Sequence, residues 1–356
     1  MKLIFDNIIF NLQKTGGISV YWYELFFRVL NNKTATSSFI IENDNENNIF
    51  RNKLNIGSAS ILIPNKKLWL TRYRQVDLNI KNSNFIFHST YYRSLSKKVK
   101  KNNKVKEVVT VHDFTYEHFS KGIKKFLHSF QKRKAIQAAD VIICISENTK
   151  KDLLYYFPKS IKKDIRIIYN GCSSDYYVDE KFKYDEQLGK SFLFVGSRTT
   201  YKNFNFAIKA VAANVNYKLR IVGSNLSNNE KKKLNDLLPN RWEFFNSIDN
   251  SKLNELYNTS YALLYPSSYE GFGIPLLEAM NAGCPFIALN SSSIPEVAGD
   301  AGILLEKLTT DDFNKAVLKI NRNREEIILK GLIQSKKFSW QKCYDELMMV
   351  YKQLIN

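Results

Sequence analysis

"YALLYPSSYEGFGIPLLEAMNAGCPFIALN", residues 261–290, decides the fold. It opens on an apolar run, YALLYPS, then turns through Glu270, Gly271 and Gly273. Pro275 stands where a helix begins, and a second apolar run, PFIALN, follows. Proline at the start of a helix is preorganised and gives up no bonded N–H. Two short apolar strands joined by a helix read as one βαβ unit, its strands parallel and covered on both faces.

The pattern extends outward from that unit. Upstream lie SFLFVGS (191–197), a helix over 203–213, YKLRIVGS (217–224), a helix near 229–238, WEFFNSI (242–248) and a helix over 251–260. The first half shows the same alternation. KLIFDNII precedes a Gly-Gly turn and the apolar VYWYELFFRVL. NFIFHST, KEVVTVHDF, a helix over 124–139, DVIICIS, a helix over 147–157 and DIRIIYNG come after it. The expectation is an α/β protein of two Rossmann-like, doubly wound parallel-sheet domains facing a cleft. The first spans 1–171, the second 172–337, and an amphipathic helix over 338–356 follows. The polar, aperiodic stretch 170–190 reads as the boundary, and ENDNENN (42–48) and KKVKKNNKVK (97–106) read as surface loops.

Composition narrows the class. Hydrophobic residues make up 44% of the 356, enough for two cores. No apolar run approaches the ~20 residues of a membrane-spanning helix, and Met1 leads into a strand-like run, not a secretory leader. The four cysteines (Cys144, Cys172, Cys284, Cys343) show no paired spacing, which suits reduced thiols of a cytoplasmic protein. All four histidines precede residue 130, without metal-ligand spacing. Charge is lopsided: residues 1–171 hold 30 of the 53 Lys and Arg but 13 of the 34 Asp and Glu. That excess points to a polyanionic neighbour, a membrane surface or a nucleic acid.

Ligands of doubly wound sheets sit beyond the carboxyl ends of the strands. That puts QKTGGIS, TVHDFTYEHF, VGSRTTYKNF and SSYEGFGIPLLE at the cleft. The helix start near Pro275 suits a phosphate, and Gly271 and Gly273 let backbone approach a ligand. Glu278, about one turn into the helix, can accept from two neighbouring hydroxyls such as those of a ribose, and Glu270 from another polyol. Arg198 and Lys202 supply the paired cations that a diphosphate needs. Gly16 and Gly17 can expose N–H groups but do not form a dinucleotide fingerprint. His112 and Asp113 end a strand, where a histidine can bond a ligand hydroxyl or support developing charge.

Taken together, GGI after the first strand, HD in mid-domain, AADVIICISENTKKDL, IYNG, VGSRTTYKN, EGFGIPLLEAMNAGCPFIA and IPEVAGDAGILLE resemble the retaining glycosyltransferases of family 4. The resemblance covers nearly the whole chain and implies the two-domain GT-B fold. It implies that Arg198, Lys202, Gly16 and Gly17 face the donor diphosphate and that Glu278 binds the ribose. Glu270, with the backbone of Gly271, Phe272 and Gly273, would bind the donor sugar, and His112 would lie beside it. His112 and Glu270 are thus the expected catalytic residues. Neither a cofactor nor a metal is implied. His88, Tyr91 and Tyr92 in FHSTYYR, with Asp113 and Tyr116, are the acceptor-side candidates.

The implied reaction carries a sugar from a nucleotide-sugar, GDP-mannose favoured over UDP- or dTDP-sugars, to a lipid-diphosphate-linked saccharide in surface polysaccharide assembly. It would run at the inner face of the plasma membrane, with the basic domain against anionic lipid. A nucleic-acid-binding protein is the rival from another class, but the basic runs form no recognised module, and no nucleic acid is expected as a partner. A nucleotide-sugar epimerase of the same fold would show a different acidic and histidine arrangement.

Overall fold

A computed structural model describes residues 2–31, 37–41, 48–63, 71–182 and 190–355. These residues divide into two compact units, Met1–Asn170 with Trp340–Asn356, and Gly171–Ser339. Most of ENDNENN lies outside the described residues.

Among the described residues, the first unit holds a seven-stranded sheet. Its strands are β1 (Lys2–Asp6), β2 (Ser37–Ile41), β3 (Ile61–Leu62), β4 (Asn84–Thr90), β5 (Lys104–Val111), β6 (Val141–Cys144) and β7 (Asp164–Ile167). All neighbours pair parallel, in the order β3-β2-β1-β4-β5-β6-β7. Between the strands run α1 (Ile9–Leu12), α2 (Gly17–Asn31), α3 (Lys97–Lys101), α4 (Thr115–Phe119), α5 (Gly122–Ala138) and α6 (Glu147–Tyr156). The lysine-rich 97–106 is not a loop. Ser96 caps α3 by accepting from the Val99 N–H, and Val99 packs among Ile4, Val76, Phe85 and Leu95, so the lysines ride on an anchored turn that leads into β5.

The second unit repeats the design in six strands: β8 (Ser191–Val195), β9 (Lys218–Val222), β10 (Trp242–Phe245), β11 (Ala262–Tyr265), β12 (Phe286–Leu289) and β13 (Ile303–Leu305). Their order, β10-β9-β8-β11-β12-β13, is again all parallel. The helices are α7 (Phe204–Ala212), α8 (Asn228–Leu237), α9 (Asn250–Asn258), α10 (Ile274–Asn281), α11 (Ile294–Ala298) and α12 (Thr310–Ser335). Phe192, Ile208, Leu219, Leu264 and Phe313 centre a core in which all five are buried.

The stretch 170–182 is no free linker. The Tyr177 N–H donates to Asn254 and the Asp179 N–H to Asn258, both on α9, and Cys172 bridges to Ser339. Residues 183–189 lie outside the described residues. The last helix, α13 (Trp340–Ile355), belongs to the first unit, where Trp340, Leu347 and Tyr351 are buried. The cysteines are unpaired, and burial pushes the Cys144 and Cys284 thiols up to about 12. No described helix is long and apolar enough to cross a membrane.

Candidate active site

Both strand orders reverse once, between β1 and β4 and between β8 and β11. The loops leaving such a neighbouring pair diverge to opposite faces and open a crevice. In the second unit these loops are the two charged ones: Gly196–Asn203 leaves β8 and Pro266–Gly273 leaves β11.

Lys202 of the first loop ion-pairs with Glu270 of the second, their side chains 14% and 12% exposed. The Tyr265 hydroxyl at the end of β11 also bonds Glu270. Two roles that the sequence assigns separately therefore meet in one contact. Any polyanion reaching Lys202 must compete with the Glu270 carboxylate.

Arg198 is held more firmly. Its Nε donates to Glu230 Oε1 at 2.8 Å, and its Nη2 to the carbonyls of Ser224 and Asn225, each at 2.7 Å. Glu230 is itself fixed by a capping box with Ser227 at the start of α8. Only Nη1 is buried with no hydrogen-bond partner. A Cβ at position 223 would stand 2.5 Å from the Gly196 carbonyl and 3.1 Å from that nitrogen, so the close approach of β9 to this loop requires glycine. The geometry gives Arg198 one open donor, not a free fork.

Gly273, at φ 114°, caps α10 in a backbone conformation that a side chain resists, and Pro275 follows in the first turn. Glu278 lies on the half-buried side of α10. The Tyr257 hydroxyl of α9 donates to its Oε2 at 2.8 Å, and the Tyr176 hydroxyl, which donates to Asn250 Oδ1 at 3.3 Å, also acts on the carboxylate. Burial raises this carboxyl to about 7, and the two hydroxyls act to lower it. Phe272 is a packing residue, edge-on to Phe338 at 5.7 Å.

A serine triplet after β12 holds the Glu270–Gly273 turn. Ser291 Oγ donates to the Ser268 carbonyl at 2.6 Å, and Ser292 Oγ accepts from the Glu270 N–H at 2.8 Å. Ser293 Oγ lies 2.9 and 2.8 Å from the Glu270 and Phe272 carbonyls, which share its proton. Nothing in the apolar or charge pattern announces Tyr176, Tyr257 or these serines. Tyr176 sits in the stretch that reads as a linker. The capping box Ser227–Glu230 was the one supporting feature with a sequence signature.

In the first unit Gly17 opens α2, and Gly16 accepts the Val20 N–H just before it. The short helix α1 separates them from β1. The crevice between β1 and β4 contains a buried ion pair, Arg93 Nε donating to Asp6 Oδ2 at 2.9 Å. Asp6 Oδ1 also accepts the Ile8 N–H.

His112 is 3% exposed, with its Nε2 buried and unbonded and its ring edge-on to Tyr21 at 4.8 Å. Burial lowers its imidazole to about 3, outweighing the Asp113 carboxylate that acts to raise it. His112 is therefore neutral in the physiological range. It can bond a hydroxyl but supplies no positive charge.

Three acceptor-side candidates need correction. His88 is 1% exposed, with its two ring nitrogens bonded to Tyr351 and Thr110. Tyr91 is buried beneath Lys132 Nζ, which lies 4.7 Å from its ring centre. Tyr92 is buried with Arg72 over its face. The reason is position: β4 runs between β1 and β5, and α13 covers His88. Asp113 and Tyr116 remain half-buried, Tyr116 stacked on His128 at 3.9 Å.

Lys132 of α5, 0% exposed, donates to the Asp113 carbonyl at 2.8 Å and to Glu117 Oε2 at 2.7 Å. It thereby fixes the His112–Asp113 turn from below. Among the described residues, no group of three or more His, Cys, Asp or Glu is placed to hold a metal ion.

Two family models match the chain, "Glycosyltransferase Family 4" over residues 15–176 and "Glycosyl transferases group 1" over 179–329. O-antigen chain mannosyltransferase B of Escherichia coli is 38% identical over 110 residues, 30% of this chain and 29% of that one. O-antigen chain mannosyltransferase RfbU of Salmonella typhimurium is 25% identical over 221 residues, 61% of each chain. The chain thus spans less than two thirds of the length of either relative. Sucrose-phosphate synthase from Thermosynechococcus elongatus shares the fold with a TM-score of 0.78 at 14% identity, over 100% of this chain and 99% of that one. WaaG, a glycosyltransferase of lipopolysaccharide biosynthesis, does so with a TM-score of 0.69 at 14% identity, over 99% of both chains. One model matches within each sheet-bearing half and together they run from residue 15 to 329, so the chain belongs to the family 4, group 1 glycosyltransferases of GT-B fold.

Proposed function

We propose that the protein is a retaining glycosyltransferase that uses a nucleoside-diphosphate sugar as donor and needs no metal. The observation that carries this reading is the meeting, at the switch point of the second sheet, of a cationic loop with a loop that bears Glu270 and leads into the helix bearing Glu278. A diphosphate arriving at Lys202 takes over the ammonium from Glu270, and the ammonium neutralises the leaving group's charge. Arg198 Nη1 is a second donor to the same group. Glu270, released, accepts from sugar hydroxyls, and ionised Glu278 accepts from the ribose diol. His112 bonds a donor-sugar hydroxyl as a neutral imidazole. The family resemblance supports attack on the same face as departure, without a protein nucleophile.

Mannose is the favoured sugar, because two relatives are named O-antigen chain mannosyltransferases, and GDP is the carrier proposed for it. The acceptor is a lipid-diphosphate-linked saccharide of a surface polysaccharide. The basic first unit supports work at an anionic membrane face, on the cytoplasmic side.

The test is the melting temperature of the purified chain with GDP, UDP, dTDP or an RNA oligomer, each with and without EDTA. A ligand at a hundredfold excess over its Kd adds about 2.7 kcal/mol, a shift of a few degrees. GDP is expected to raise the melt regardless of EDTA, and Glu278→Ala or Arg198→Ala to abolish the shift. A salt-sensitive response to RNA alone would overturn the reading.

A further inference from the structure

Helix α5 is built inside out. A surface helix ordinarily turns its apolar stripe toward the core. In α5 the buried positions include His128, Gln131 and Lys132. Ile123, Phe126, Leu127 and Phe130 are instead 77%, 68%, 38% and 45% exposed. Their spacing, i, i+3, i+4 and i+7, draws one continuous apolar stripe along the helix. Phe126 and Phe130 stack on it with centroids 6.2 Å apart. The stripe borders a groove of about 360 Å³ between α5 and the end of α6, lined by Phe126, Phe130, Arg133, Tyr156 and Phe157.

The charges around the stripe indicate what covers it. The helix carries Lys124, Lys125, Lys132, Arg133 and Lys134 and no carboxylate. Lys132 is used inside, whereas Lys124, Arg133, Lys134 and the preceding Lys121 are exposed. Lys134 Nζ lies 4.4 Å from the Phe130 ring centre and Arg133 over Phe157, their stems along apolar surface and their heads free to reach outward. Glu117 also lines the groove but is paired with Lys132, so the exposed charges of the helix are all cations, which complements an anionic surface with an oily interior. A second copy of the same face would bring like charges together.

We propose that α5 is a membrane-docking helix. It lies in the interface of an anionic bilayer, with Ile123, Phe126, Leu127 and Phe130 among the acyl chains. Lys121, Lys124, Arg133 and Lys134 sit among the headgroup phosphates. This deepens the reading that the acceptor is lipid-linked and rests on it for its purpose, though not for its test. The inner face of the same helix holds the His112–Asp113 turn through Lys132. Docking therefore sets that turn about one helix diameter, ~10 Å, above the headgroups.

The experiment is co-sedimentation of the full chain with vesicles of pure phosphatidylcholine or of phosphatidylcholine with phosphatidylglycerol, at low and high salt. It compares the wild type with Phe126→Ser/Phe130→Ser and Lys124→Ala/Lys134→Ala. Melting and the nucleoside-diphosphate shift are recorded for each protein. Wild type is expected to bind the anionic vesicles and to release them in high salt. Losing two cations is expected to weaken binding about 25-fold, at about fivefold each. The phenylalanine variant is expected to weaken it at least as much, with melting and the nucleotide shift retained.

Wild-type binding that ignores the anionic lipid, or is absent, overturns the proposal. So do variants that bind like wild type, or a wild-type dimer that the phenylalanine variant dissociates. A missing nucleotide shift in a wild type that still docks would remove the transferase reading and leave the docking helix standing.

Discussion

Each sheet carries one cation–carboxylate pair at its switch point, and the two pairs differ in how open they are. In the first unit Arg93 and Asp6 are 3% and 0% exposed, and Asp6 also holds a backbone N–H. In the second, Lys202 and Glu270 keep some exposure, and the carboxylate's other partner is the Tyr265 hydroxyl. The same topology thus yields a closed crevice in one unit and an exchangeable one in the other. A pair deprived of water cannot trade partners without leaving a bare buried charge. One at the edge of solvent can.

Breaking the closed pair should have the largest effect. Arg93→Ala leaves Asp6 buried and unpaired, and unfolding in urea should show a loss of about 3–5 kcal/mol. Replacing both partners by apolar residues of similar volume should cost less than either single change. A single variant as stable as wild type would place the two pairs in one class.

Lys202→Ala tests the opposite case. The unliganded protein should lose under about 1 kcal/mol, as for a pair near solvent. Calorimetry should show nucleoside-diphosphate affinity falling about 10- to 100-fold, the loss of one hydrogen bond to a charged group. Unchanged affinity would mean that the open pair is structural too.

Glu278→Gln sharpens the comparison through pH. The carboxyl is raised to about 7 in the fold, against 4.5 for the free group. The folded state therefore holds more protons between those values, and the stability from this group is present below the lower value and lost as pH rises through about 7. At pH 8 the glutamine variant should be more stable than wild type by on the order of 1 kcal/mol, after discounting for solvent, with no difference at pH 4. Its nucleotide affinity should fall most above about pH 7, where the wild-type carboxyl is ionised, and approach that of wild type well below it. A variant less stable at pH 8 would show that the carboxylate is not strained.

The smallest effect belongs to Tyr257→Phe. Removing a hydroxyl that stabilises the Glu278 carboxylate should move the midpoint of pH-dependent nucleotide binding upward. It should weaken binding at neutral pH by about 1 kcal/mol. A midpoint that does not move would detach the tyrosine from the site.

Much of this architecture is legible in the sequence because buried parallel strands are written as short unbroken apolar runs. SFLFV, YALLY and PFIAL each became a strand with its loop at the carboxyl end. Glu270, Lys202, Arg198 and Glu278 stand on those loops or one turn beyond them, so their neighbourhood followed from the strand order. Their partners did not. Tyr176 acts on Glu278 from a stretch without periodicity, and Arg93 meets Asp6 across 87 positions. Such pairings are settled by tertiary packing, which no local spacing records.

His88 illustrates the same limit from the other side, because a histidine near a strand end looks alike in sequence whether a ligand or a helix covers it. Here the helix is α13. For α5 periodicity identifies a helix, yet its most regular apolar stripe faces outward, because Lys132 and its inward-facing neighbours occupy the inner side.

The position of α13 bears on the order in which the protein can be made. Phe5 and His88 belong to strands synthesised early, but Tyr351, against which both pack, is translated only after the whole second unit. During synthesis the first sheet must wait, its face uncovered, while the whole second unit emerges and is free to fold first. A ribosome-bound chain is therefore expected to complete its domains in reverse order of their beginnings.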